Sequence, residues 1–337
     1  MAEAKVLSGA GLRGQVAGQT ALSTVGQSGA GLTYRGYDVR ELAAEARFEE
    51  VAYLLLYGDL PNKEQLAAYM AKLATLRDLP QALKEVLERI PAQAHPMDVM
   101  RTGCSFLGNL EPEKDFSAQN AVTDRLLAAF PAIMCYWYRF SHEGVRISCV
   151  SEEASIGGHF LHLLHGKAPS ELHRKVMDVS LILYAEHEFN ASTFTARVCA
   201  STLSDLYSCV TAAIGSLRGP LHGDANEAAM EMIERFASPE EAIKGTLGML
   251  ERKDKIMGFG HAIYKDNDPR NEVIKGWSKK LADEVGDKVL FPVSEAIDAT
   301  MWEQKKLFPN ADFYHASAYH FMASRPSCSR RSSFARA

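Results

Sequence analysis

The sequence holds no apolar run long enough to cross a bilayer. It has no excess of positive charge either: 37 Lys and Arg stand against 42 Asp and Glu, a formal net charge of −5. That balance gives no reason to expect nucleic acid as a partner. Cysteine is sparse and unpatterned. Cys104, Cys135, Cys149, Cys199, Cys209 and Cys328 show no CxxC spacing and mostly sit in apolar stretches. Core thiols are therefore expected, rather than disulfides or zinc ligands. The opening residues MAEAKVLSGAGLRGQ lack the apolar core of a signal peptide and the Arg/Ser-rich amphipathic character of a transit peptide. The expectation is a cytoplasmic protein that does not enter the membrane. GxSxG, the P-loop, and GxGxxG opening a βαβ unit are all missing. No internal repeat marks a solenoid or propeller.

What is present is helix. Residues 11–40 are Gly-rich, with the short alternating runs QVAGQTALSTVG and GLTYRGYDV, which predict small strands and turns. After that, apolar spacing of three and four dominates. DVRELAAEARFEEVAYLLLYGDLP, NKEQLAAYMAKLATLRDLP, PQALKEVLERIP and HPMDVMRTGCSFLGNL each close on Pro or Gly, or run up to a polar break. VTDRLLAAFPAIMCYWYRFSHEG and ASIGGHFLHLLHGKAP are more apolar and predict central helices. The stretch from Ser170 to Gly223 predicts two long helices separated near Asn190. Beyond Asp224 the chain becomes more charged, and NEVIKGWSKKLADEVGD and LFPVSEAIDATMWEQKKLFPN predict further amphipathic helices. Strands are too few for a sheet core, so the fold class is mainly α. A length of 337 residues favours two domains. The composition shift suggests a large helical domain over 1–223 and a smaller one over 224–322.

Three places set a titratable side chain beside a Gly- or Pro-bearing turn. In RGPLHGDANEAAM, His222 precedes a predicted helix. A helix N-terminus disfavours imidazolium, and a neutral imidazole can donate to a carbonyl that becomes an enolate; a plain capping role competes with this. In GFGHAIYKDNDPR, His261 follows Gly258 and Gly260, which let the backbone approach a ligand. Arg270 in the same segment could bind a carboxylate through two parallel hydrogen bonds, although GFGH alone could be a tight turn. In FPNADFYHAS, Asp312 lies among aromatics. An apolar setting raises a carboxyl pKa and suits a base at carbon, while an N-cap for a helix starting at Phe313 is the bland reading. His159, His162 and His165 could be imagined as metal ligands, but no acidic or Cys partner accompanies them. EHEFN lacks the second histidine of HExxH, and His187, Asn190 and Ser192 read instead as polar groups lining a pocket.

Together the segments TYRGYDV, YAEHEFNASTFTARV, GPLHGDANEAAM, GFGHAIYKDNDPR and PNADFYHASAYH resemble the citrate synthase family, in the family's order, and in particular its 2-methylcitrate synthase branch. The resemblance implies a helical homodimer whose site lies between the two domains, with no metal or other cofactor. It implies oxaloacetate and propionyl-CoA as substrates, with acetyl-CoA and plain citrate synthase as the alternative. Asp312 matches the base that deprotonates the acyl-CoA, His222 the donor to the thioester oxygen, and His261 the acid that polarises the oxaloacetate ketone. His187 and Arg270, with Asn190, match groups that hold oxaloacetate. Lys265, Lys305 and Lys306, with Gly258, Gly260 and Asn310, are candidate contacts for CoA.

The end of the chain departs from that pattern. Ala323 opens a basic tail, ASRPSCSRRSSFARA, where the family continues with large-domain helices carrying further substrate arginines. Deleting one G from codons for GIPTKLFTPIF yields Ala-Ser-Arg-Pro-Ser-Cys-Ser-Arg-Arg-Ser, the sequence over 323–332. The tail is therefore expected to be a one-base frameshift product, and an inactive truncated homologue is the alternative of another class.

Overall fold

The computed structural model describes residues 17–26, 31–219, 222–223, 225–261 and 263–323. The frameshift expectation for 324–337 lies outside them, as do Pro220, Leu221, Asp224 and Ala262. Three short strands, β1 (Ser23–Val25), β2 (Leu32–Tyr34) and β3 (Tyr37–Asp38), form an antiparallel meander in that order. Fifteen helices follow among the described residues: α1 (Val39–Glu45), α2 (Phe48–Tyr57), α3 (Lys63–Thr75), α4 (Gln81–Glu88), α5 (Pro96–Leu110), α6 (Gln119–Glu143), α7 (Ile156–His165), α8 (Glu171–Tyr184), α9 (Ala191–Ala200), α10 (Leu206–Leu217), α11 (Ala225–Ile233), α12 (Pro239–Glu251), α13 (Pro269–Val285), α14 (Leu290–Lys305) and α15 (Ala311–Ala323). The fold is mainly α, as the periodicity predicts. None of these helices is long and apolar enough to cross a membrane.

Two boundaries differ from the sequence reading, each for a local reason. The single periodic stretch after Asp38 breaks into α1 and α2, because the buried Asp178 of α8 accepts the Phe48 amide at 3.0 Å and starts a second helix there. The second of the two helices expected between Ser170 and Gly223 is in fact two. Asp205 accepts the Ser208 amide at 2.9 Å and restarts the helix as α10.

Buried apolar side chains fall into two clusters. One joins α4 to α7 with α10 around Trp137, Leu107 and Ile133. The other runs from Val25 and Tyr34 of the meander through Leu54, Val176 and Ile182 to Phe313 and Met322, so it draws on residues from both sides of position 224. Phe313 is wholly buried in it, a contribution of roughly 1.5–3 kcal/mol by transfer from water. That anchoring fixes the first turn of α15, and α15 carries Asp312.

Candidate active site

The site is assembled where the α8–α9 turn, the turn before α11, the α12–α13 loop and the start of α15 meet. The last two are stitched together by backbone. Gly260 donates to the Phe308 carbonyl at 2.8 Å and Asn310 to the Gly258 carbonyl at 2.9 Å, with Phe259 bridged to Pro309. Gly258 adopts a φ of 82°, and a Cβ there would stand 2.9 Å from the Phe313 ring, so only glycine permits the approach. What the glycine admits here is α15. Asn310 completes the seam: its amide donates to the Gly260 carbonyl at 3.1 Å, while its Oδ1 accepts the Asp312 amide at 3.0 Å. Both ends of this expected CoA contact are thus engaged within the chain.

Asp312 lies in the first turn of α15, which begins at Ala311, so it is not the cap that the bland reading assigned. Tyr184, the last residue of α8, donates its hydroxyl to Asp312 Oδ1 at 2.6 Å. Burial pushes the Asp312 carboxyl above the ordinary carboxylate range, and the Tyr184 bond and the Arg270 charge pull the other way. The result is a carboxylate fixed by the Tyr184 hydroxyl, with the charges of Arg270, Asp268 and His222 acting on it.

Of the two histidines expected to donate hydrogen bonds, His261 has its tautomer set by backbone amides, and His222 meets Ser192 twice. The Ser192 amide donates to His222 Nε2 at 3.3 Å, and Ser192 Oγ lies 2.9 Å from the same atom. The Ser192 hydroxyl gives its proton to Asn190 Oδ1, so its oxygen faces Nε2 as an acceptor while the amide faces it as a donor, and the two contacts favour opposite tautomers. At His261 the contacts agree. Nδ1 accepts from the amides of Ile263 at 3.1 Å and Tyr264 at 3.3 Å, which leaves the proton on Nε2. Burial lowers the pKa of both rings. The Arg270 charge adds to this at His261, and the Asp312 charge opposes it at His222.

His187 faces His261 with ring centroids 5.1 Å apart, and its Nε2 meets the Tyr264 hydroxyl at 3.1 Å. Burial, then the Arg270 charge, lower its pKa to about 3, so it is neutral. Arg270 is 7% exposed. Its Nε and Nη2 donate to both oxygens of Asp268 at 3.0 and 2.8 Å, so the fork expected for a substrate carboxylate is already matched and Nη1 is the edge left out of this pair. Asp268 also accepts the Ala311 amide at 3.0 Å, tying α13 to α15. Asn190 caps α9, its Oδ1 accepting the Thr193 amide at 2.9 Å and the Ser192 hydroxyl at 2.8 Å.

The structure therefore brings His187, His222, His261, Arg270 and Asp312 into one electrostatic neighbourhood. Lys265, Lys305 and Lys306 are exposed on its flanks, and Lys306 caps α14 in the left-handed region, its ammonium over the Trp302 ring. His159 and His165 are taken up elsewhere: His159 Nδ1 pairs with Ser151 Oγ at 2.8 Å, and His165 Nε2 with the Met322 carbonyl at 2.8 Å. Among the described residues no group of three or more His, Cys, Asp or Glu is gathered as metal ligands would be. Tyr184, Tyr264 and Asp268 were missed by sequence reasoning. Asp268 had a signal, since Asp-Pro reads as an N-cap with Pro at the first helical position.

The model of the citrate synthase C-terminal domain matches residues 11–329. The chain belongs to the citrate synthase family. It is 73% identical over 322 residues to a 2-methylcitrate synthase of Shewanella oneidensis, covering 96% of this chain and 86% of that one. Citrate synthase 2 of Bacillus subtilis is 41% identical over 314 residues, covering 92% and 84%. Among solved structures, the citrate synthase of Thermoplasma acidophilum, in a ternary complex with carboxymethyl coenzyme A and oxaloacetate, superposes with a TM-score of 0.86 at 28% identity, covering 94% of this chain and 84% of that one. The chain is thus an acyltransferase of the citrate synthase type.

Proposed function

We propose that this citrate synthase family member condenses propionyl-CoA with oxaloacetate and water to give 2-methylcitrate and CoA. The observation that carries the reading is the grouping of two imidazoles, both held toward the neutral form by burial, with a carboxylate whose pKa is raised, the His261 proton standing on Nε2. Asp312 takes a proton from the α-carbon of the thioester, and the His222 donor stabilises the negative charge that develops on the thioester oxygen. The α-carbon then bonds to the ketone carbon of oxaloacetate, and the ketone oxygen receives the His261 proton. Water next adds to the thioester carbon, the carbon–sulfur bond breaks, and CoA leaves as the thiol. Neutral His187 and the Nη1 edge of Arg270 hold oxaloacetate. The identity to a 2-methylcitrate synthase favours the propionyl donor.

Acetyl-CoA is the second donor to consider, because relatives named citrate synthase share this fold and one methylene is worth only ~1–3 kcal/mol of discrimination. Thiol release by the 337-residue chain, with oxaloacetate and either donor, tests the proposal. Release that needs oxaloacetate and is faster with propionyl-CoA is expected. A preference for acetyl-CoA makes it a citrate synthase, and no release makes it an inactive homologue. A cytoplasmic homodimer belongs to the same reading, its interface supported by the exposed apolar side chains of Val198, in the last turn of α9, and Leu203, just past it, at 52% and 75% exposure. Light scattering checks it.

A further inference from the structure

The turn between α8 and α9 presents His187 without a regular element to hold it. Its backbone is also strained, since Glu188 has a φ of 54°, in the left-handed region that favours glycine. Two hydrogen bonds fix that residue. Its amide donates to Glu186 Oε1 at 2.7 Å and to Ser23 Oγ at 3.3 Å. Ser23 in turn donates to the same Glu186 oxygen at 3.0 Å. Residues 186 and 188 are thereby closed on one another, and the ring of His187 leaves from between them toward Tyr264 and His261.

Ser23 is distant in sequence and buried, and β1 is held to β2 along its length through Ser23–Tyr34, Thr24–Thr33 and Val25–Leu32. The same meander reaches the other substrate loop. Gly26 lies against the Ile263 side chain and Gly31 against Pro269, the residue before Arg270. One small sheet therefore touches both the turn that carries His187 and the loop that carries His261 and Arg270.

We infer that Ser23 and Glu186 are positioning residues for His187, and that the N-terminal meander is the clasp that keeps the ketoacid-binding groups in register. The nature of the ligand on His187 rests on the function proposed above; the clasp itself does not.

The test uses Glu186→Ala, Glu186→Gln and Ser23→Ala in the full chain. Steady-state thiol release gives separate KM values for oxaloacetate and propionyl-CoA, and NMR of labelled histidine imidazoles, with His187→Gln for assignment, reads the ring directly. Glu186→Ala is expected to raise the oxaloacetate KM about 10-fold, with the propionyl-CoA KM within about 2-fold. Glu186→Gln keeps an acceptor oxygen and should restore it. Ser23→Ala, should Glu186→Ala not fold, is expected to give about a 3-fold rise. The His187 signals should move in both Ala variants while those of His222 stay. An unchanged oxaloacetate KM with unmoved His187 signals overturns the clasp, as does a Gln variant no better than Ala. If the wild type releases no CoA, the proposed function fails, and the NMR arm alone still decides the positioning role.

Discussion

Tyr184 and Asp312 show how one contact would set the working range of the proposed base. The hydroxyl of Tyr184 stabilises the ionised form of Asp312 against burial, which raises its pKa. Removing the hydroxyl in Tyr184→Phe should therefore raise the carboxyl pKa further. Because the base must be ionised to act, the acid limb of kcat/KM against pH is expected to move to higher pH, and an unmoved limb would show that the bond does not tune Asp312. Asp312→Ala should lower kcat by roughly 10²–10⁴-fold with an unchanged circular dichroism spectrum. An active variant refutes the assignment. At this scale the sequence was informative about identity and poor about partners. His222, His261 and Asp312 stood out because each adjoins a turn. Tyr184 did not, since a tyrosine ending an apolar helix looks like core, and only the fold reveals that it is 40% exposed and reaches a carboxylate in another helix.

Among the elements, α9 illustrates a cap with two duties. Asn190 was expected to hold substrate, yet its side chain accepts both the Thr193 amide and the Ser192 hydroxyl. Ser192 then orients His222. Asn190→Ala should cost about 1 kcal/mol of stability through loss of the cap, measured by urea denaturation. It should also reduce kcat, because Ser192 loses its anchor. A variant with lower stability and full turnover would separate the two duties. The periodicity predicted that these helices exist but not where several of them divide. The breaks at Arg47 and at Asp205 depend on hydrogen-bond acceptors, and at α2 that acceptor, Asp178, comes from far along the chain. Apolar spacing carries no record of such a partner.

For the molecule as a whole, stability should carry a pH signature from a group away from the site. Glu49 is 1% exposed and accepts the Ile156 amide at 2.7 Å, which starts α7, and burial raises its pKa to about 7. Between the ordinary carboxyl value of 4.5 and about 7 the folded chain binds the extra proton, so this group's contribution to stability is full below that window and is lost as pH rises through it. Glu49→Gln keeps the acceptor and removes the ionisation. It is expected to be more stable than wild type at pH 8, by roughly 3 kcal/mol and with a higher melting temperature, the gap closing toward pH 4. Equal melting temperatures at pH 8 would contradict this. Nothing in FEEV distinguishes the buried Glu49 from the half-buried Glu50 beside it, because burial is decided by α7 and α8.

The backbone seam between residues 258–260 and 308–310 has a mechanical consequence. The proposed acid, His261, and the proposed base, Asp312, ride on a common frame, so thermal movement changes their separation little. His222 is held to α9 through Ser192, and the helix it precedes, α11, packs against α15. The Tyr184–Asp312 bond adds a separate tie from α8 to α15, so breaking it should loosen the proposed base against the turn that carries His187 without disturbing the seam.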